Sequence, residues 1–192
     1  MIKIREIKAS FRSNPGSELF FGKPILSKKK PEQTHDDFEQ ATWREKVHVD
    51  ERGHLYWPPF ALKNALEEAG KFLSMKIPGE GKKTYTDRFR KGVLVVDRIY
   101  LQLHDGTQCT MDDIVPRQLF VPSDGKRGSG KRVVRTFPAL EKWQGVATLH
   151  VIDEKISDEV LQKHLECVGQ FVGFGSMRVG NGGINGIFSV TM

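Results

Sequence analysis

Long apolar runs are missing from this 192-residue chain. Nothing in it approaches the roughly 18 consecutive apolar residues that a membrane-spanning helix requires. The uninterrupted apolar stretch of a secretory signal is missing too. The opening MIKIREIKASF alternates charge with isoleucine and reads as a strand. Cysteine is scarce: Cys109 and Cys167 stand far apart with no pairing pattern. That excludes a disulfide framework and points to a reduced, cytoplasmic chain. Nucleophile signatures are also lacking, with no Gly-x-Ser-x-Gly elbow and no Cys/His pairing. The chain holds no internal repeat, and its one biased segment is a glycine stretch near the end.

Hydrophobic residues make up 38% of the chain, enough for the core of a single domain. The net charge is 30 − 24 = +6. A basic balance permits a nucleic-acid partner without requiring one, and the distribution says more than the total. GKRGSGKRVVR, from Gly125 to Arg135, carries Lys126, Arg127, Lys131, Arg132 and Arg135 and no acid. Lys28 to Lys30 form a second run, and residues 81–91 a mixed third. The first run nearly spells a phosphate-binding P-loop, but Arg132 stands where Ser or Thr must hold magnesium, and a β-branched segment follows instead of a helix. Two readings remain: a solvated mobile loop, or an arm ordered by a nucleic-acid backbone.

Periodicity supplies the elements. Residues 2–11 read as a strand whose alternation slips between Ile4 and Ile7, as a bulge would make it do. Residues 46–57 read as a hairpin turning at Gly53. Pro58 and Pro59 open a helix with a stripe of Leu62, Ala65, Leu66, Ala69, Phe72 and Leu73. Residues 93–103 and 145–152 read as strands. Ser157 caps a second helix, which Asp158 and Glu159 suit through its dipole, and residues 187–190 form a last strand. The order predicts an α+β fold: a ferredoxin-like (RRM-like) βαββαβ core with a four-stranded antiparallel sheet. It fills one domain, 1–192, with insertions at about 12–58 and 104–145. Both helices cover one sheet face. The open face then carries Arg98, Tyr100, Thr148 and His150, the residue types with which RNA-recognition sheets hold bases.

Six glycines lie between Gly173 and Gly186 in VGFGSMRVGNGGINGIFSV. The spacing fails the dinucleotide fingerprint, and the glycines leave a helix and enter a strand, the reverse of that motif. One reading is a helix cap at Gly169 or Gly173 followed by a plain connector. The other is a backbone whose amides turn together toward an anion. In the second, Arg178 supplies a fork suited to phosphate, while Asn181 and Asn185 tolerate positive φ and donate hydrogen bonds.

That stretch resembles the glycine-rich loop of the RAMP superfamily, the RNA-binding proteins of CRISPR systems, and in particular the backbone subunits of their effector complexes. Gly173, Gly175, Arg178, Gly186 and Phe188 match the family's run. GHLYWPPFALKNALEEAGKFL is similar to its first helix, and RTFPALEKWQGVATLHV to the lead into its third core strand. The resemblance implies single-stranded RNA binding by protomers stacked head to tail along a guide, with a thumb between core strands at 104–145. It leaves room for single-stranded DNA as ligand and for a phage-encoded relative.

Catalytic groups are thin. His35, Asp36 and Asp37 in HDDF, and Asp112 and Asp113 in MDDI, are adjacent acids of a kind that usually sits in solvent. His48 and His54 flank the hairpin without the carboxylate or thiolate partners of a zinc site. His150 suits stacking better than general-base work. Trp43, Trp57 and Trp143 read as core or subunit contacts. The expectation is a non-catalytic binder of single-stranded nucleic acid, with no cofactor, no metal and no membrane partner, in a homo-oligomer or ribonucleoprotein. Its glycine-loop amides and Arg178 grip phosphate. Lys126, Arg127, Lys131, Arg132 and Arg135 wrap the strand, and Arg98, Tyr100 and His150 meet bases. The alternatives are a metal-dependent or histidine-based ribonuclease, and a protein-interaction subunit that never touches nucleic acid.

Overall fold

The computed structural model describes residues 4–123, 128 and 130–192; Lys126 and Arg127 lie outside them. Strand β1 (Arg5–Ser13) alternates as the pleat demands, with Ala9, Phe11 and Ser13 buried and Glu6, Lys8, Ser10 and Arg12 exposed. No bulge interrupts its ladder, which pairs every residue from Arg5 to Arg12 in unbroken register. The slip at Ile4 has a simpler cause: that side chain lies on the exposed face.

Strand β2 (Leu19–Phe20) is followed by helix α1 (His35–Thr42) and a 3-10 turn over Trp43–Lys46. Thr34 and Asp37 close a capping box at the start of α1, which explains this acid as a helix device. Asp113 does the same with Thr110 at a later 3-10 turn. The predicted hairpin shrinks to one bridge, Val49–Leu55, a turn at Gly53 and a short strand β3 (Tyr56–Trp57).

Helix α2 (Pro59–Leu73) buries Leu62, Ala65, Leu66 and Ala69 and ends at Ser74, whose φ is 46°. Phe72 leaves the stripe: it is exposed and stacks on Phe171 at 5.3 Å. Helix α3 (Thr86–Gly92) leads into β4 (Val93–Val95) and β5 (Ile99–Gln102), two pieces of what the sequence predicts as one strand. Strands β6 (Val115–Pro122) and β7 (Arg132–Leu140) form an eight-pair antiparallel hairpin where the sequence predicts a loop. Strand β8 (Gln144–Val151), helix α4 (Asp158–Cys167) and strand β9 (Phe188–Thr191) complete the chain.

The fold is α+β with antiparallel sheets. The larger sheet runs β3-β5-β8-β1-β9, with β4 also on β8. It exceeds four strands because the strand after α3 is broken at Val96–Arg98 and β3 extends the edge. The smaller sheet runs β2-β7-β6. A single large core joins the inner face of the main sheet to α2 and α4, with Phe11, Trp143, Phe174 and Phe188 in mutual ring contact. All three tryptophans are buried.

A buried ion pair fastens the hairpin to α1. Lys46 Nζ meets Glu39 Oε1 and donates to the Thr136 carbonyl at 2.7 Å, while the Thr136 amide donates to the same carboxylate at 2.8 Å. Both side chains are more than nine-tenths buried.

Candidate nucleic-acid interface

The glycine stretch leaves α4 through a π-helical turn, Val168–Val172, an element frequent at functional sites. Several of its amides turn inward. Gly173 donates to Val168, Phe174 to Gly186, Ser176 to Phe20, Gly183 to Arg178 and Gly186 to Glu18, all to backbone carbonyls. These bonds knit the stretch to itself and to the residues around β2, and take those five amides out of the predicted anion cradle. The glycines allow close approach. A Cβ on Gly175 would stand 2.3 Å from the Phe20 carbonyl oxygen.

The asparagines differ from expectation as well. Neither takes positive φ; Met177 does, at 53°. Asn185 is buried, its amide donating to Met177, whereas Asn181 is exposed. Arg178 is half-buried, with Nη2 donating to Glu68 Oε2 at 2.8 Å. Its guanidinium is held oriented by a carboxylate.

What the knitted stretch forms is the wall of a cleft. A space of about 330 Å³ lies between it and the start of α2, lined by Lys23, His48, Trp57, Phe60, Asn64 and Arg178 among others. Gly22, Lys23, Pro24 and Ser176 also line a second hollow of about 370 Å³, which reaches His35, Lys46 and Arg135. Lys23 thus lies on both hollows, with Arg178 on the first, and Arg135 and the Glu39–Lys46 pair on the second. Among the described residues, the side chains of Lys23, His48 and Asn64 have no hydrogen-bond or ion-pair partner. Burial, then the positive charge of Lys23, pushes the His48 imidazole below its ordinary range, so its neutral form dominates near pH 7. Arg135 donates to the Ser123 carbonyl at 3.2 Å; Lys131 and Arg132 are exposed on the hairpin.

The sheet's open face is a separate surface. Tyr56 and Trp57 are consecutive on β3, and strand alternation sends one to each side. Trp57 walls the cleft. Tyr56 joins Arg98, whose guanidinium lies 4.6 Å from its ring centroid, and Tyr100, whose ring is 6.3 Å away. His54 meets Tyr100 edge-on. His150 stands apart: it is four residues from Val146, the neighbour of the Tyr100 region on β8, or about 13 Å along the strand. Its Nε2 lies 3.6 Å from Glu6 Oε2. The structure therefore brings Arg98 and Tyr100 together, leaves His150 remote from them, and sets both on the other side of β3 from Arg178.

Sequence reasoning did not select Lys23, His48 or Asn64. They come from unrelated segments, and no spacing joins them.

The architecture is that of an α+β protein with a cleft beside a glycine-built wall. No protein-family profile matches the chain, and no curated protein matches it. Among solved structures, it aligns with a chain from the cryo-EM structure of the type III-B Cmr-beta bound to cognate target RNA, at a TM-score of 0.50 and 11% identity over 96% of its length. It spans 59% of that chain. Cmr6 from Pyrococcus furiosus aligns at a TM-score of 0.43 and 14% identity, covering 98% of this chain and 99% of that one. At 11% identity, the first of these likenesses is one of fold.

No helix among the described residues is long and apolar enough to cross a membrane.

Proposed function

We propose that this chain is a non-catalytic subunit that binds single-stranded RNA within a ribonucleoprotein. In this reading the core is ferredoxin-like: β9, β1, β8 and the broken strand β4/β5 stand in that order, with α2 and α4 on one face. The observation that carries the proposal is the pair of adjoining hollows that share Lys23, which has no anionic partner among the described residues, with Arg178 on one and Arg135 on the other. Spaced cations beside apolar walls suit a flexible polyanion. The hairpin residues Lys131 and Arg132 are exposed and add positive charge nearby on the chain. Protomers assemble along the strand, so longer RNAs hold more copies.

Fluorescence anisotropy with a single-stranded RNA tests this. Three phosphate contacts give a slope of log affinity on log salt of about −2, and Lys23→Glu lowers both the affinity and the steepness of that slope. A flat salt response overturns the proposal. So does a discrete RNA cut that is lost with chelator, in Asp37→Ala or in His150→Ala, since any of these makes the chain a ribonuclease.

Affinity also depends on pH. His48 is neutral near pH 7 because burial and Lys23 disfavour its charge. A phosphate in the cleft favours the charged form, so binding takes up a proton. Affinity therefore rises as pH falls below the ordinary histidine range, through the lowered range in which His48 takes up its proton. His48→Gln removes the rise, measured at constant ionic strength.

A further inference from the structure

We propose that the cleft at the start of α2 is a pocket for one unstacked nucleobase of the bound strand, which makes it more than a phosphate site. This inference rests on the RNA-binding reading. The space of about 330 Å³ lies at the small end of ligand pockets and admits one nucleotide, not a duplex.

The lining is divided in a way that phosphate alone does not explain. Lys23, His48 and Arg178 supply cationic or protonatable groups, and the first turn of α2, which lacks a side-chain cap at Pro58, adds its positive end. Those groups suffice for a phosphate. The remaining wall is apolar, from Trp57, Pro58, Phe60, Ala61 and Phe174. Phe60 leaves 62% of its surface in solvent at this cleft, although the α2 stripe is complete without it. An aromatic ring held open beside cations offers a stacking surface, which every base can use.

Asn64 supplies the polar group that a base edge needs. Its amide carries both a donor and an acceptor, as base edges do. Asparagine is also a poor choice for a helix interior. Here it sits in the second turn of α2, on the cleft, with no partner among the described residues. Asn64 is exposed, and an open aromatic ring beside a side-chain amide with no such partner matches a ligand with a flat face and a hydrogen-bonding edge.

The test compares oligouridylate with an abasic ribose-phosphate strand of equal length, at one salt concentration. Wild-type protein binds the intact strand about tenfold more tightly, the size of one base–aromatic contact. Asn64→Ala and Phe60→Ala each collapse that ratio and leave the salt slope unchanged, because the phosphate contacts remain. If both variants keep the wild-type ratio, the pocket is wrong while RNA binding stands, and the sheet-face tyrosines then hold the bases. If the abasic strand binds as well as the intact one, the pocket is wrong in the same way. If neither strand binds wild-type protein, both proposals fall. Circular dichroism on the variants excludes misfolding as the cause of a collapsed ratio.

Discussion

Gly186→Ala costs more than about 4 kcal/mol of stability, in the range where single substitutions become diagnostic of one mechanism. The position has a φ of 74°, and a Cβ there would lie 1.9 Å from the Phe174 carbonyl oxygen and 2.7 Å from its nitrogen. Backbone cannot yield as the end of a lysine would. Phe174 is fixed by its ring contacts with Phe11, Trp57, Trp143 and Phe188 in the centre of the core. Two hydrogen bonds would be lost with the close approach, Phe174 N to Gly186 O and Gly186 N to Glu18 O, each 2.9 Å. Gly53 is the control. Its φ is 83°, but nothing stands within 4 Å of a Cβ there, so Gly53→Ala shows the left-handed penalty alone, about 1–2 kcal/mol. Urea unfolding of the two variants separates the terms. Equal losses would mean that the stretch is not interlocked.

Glu39→Ala gives the second large effect, about 3–5 kcal/mol, because it strands the Lys46 ammonium in the interior. Lys46 would keep the Thr136 carbonyl as its partner, and the Thr136 amide would lose its acceptor. A double replacement, Glu39→Leu with Lys46→Met, recovers only part of the loss: it removes the stranded charge but leaves the buried Thr136 amide and carbonyl without their partners. The local signature is faster hydrogen exchange at the Thr136 amide in Glu39→Ala. RNA affinity falls with it, since Arg135 precedes Thr136 on β7 and lines the second hollow. Unchanged exchange at Thr136 would show that the pair does not hold the hairpin.

How far these features are legible in the sequence depends on how local their causes are. Helices α2 and α4 are visible because Leu62, Leu66 and Ala69, or Leu161 and Leu165, recur at one helical period. β8 is visible because Ala147, Leu149 and Val151 alternate with Val146, Thr148 and His150. The β6–β7 hairpin is hidden by Pro116, Pro122 and Pro138, which read as breakers. Pro116 and Pro138 in fact stand opposite each other, and strand positions that need no ladder donor accept proline. Helix α1 is short and mostly polar, and its one signal was the Thr34-x-x-Asp37 cap. The glycine stretch announces that something unusual happens there. What happens depends on Glu18, Phe20 and Glu68, at least 100 residues away in sequence. Arg178 is picked out by its setting among glycines, whereas Lys23 and Asn64 acquire meaning only when the fold sets them across a cleft from it.

The central strand has a consequence for how the chain is made. β1 lies between β8 and β9, so every ladder bond it forms waits for residues from Gln144 onward. On the ribosome, Arg5–Ser13 emerges well before these partners and remains unpaired while some 130 further residues are synthesised. Closure across so long a loop makes assembly of the main sheet slow. During that interval Phe11 and its alternating neighbours are exposed to chaperones and to other nascent chains.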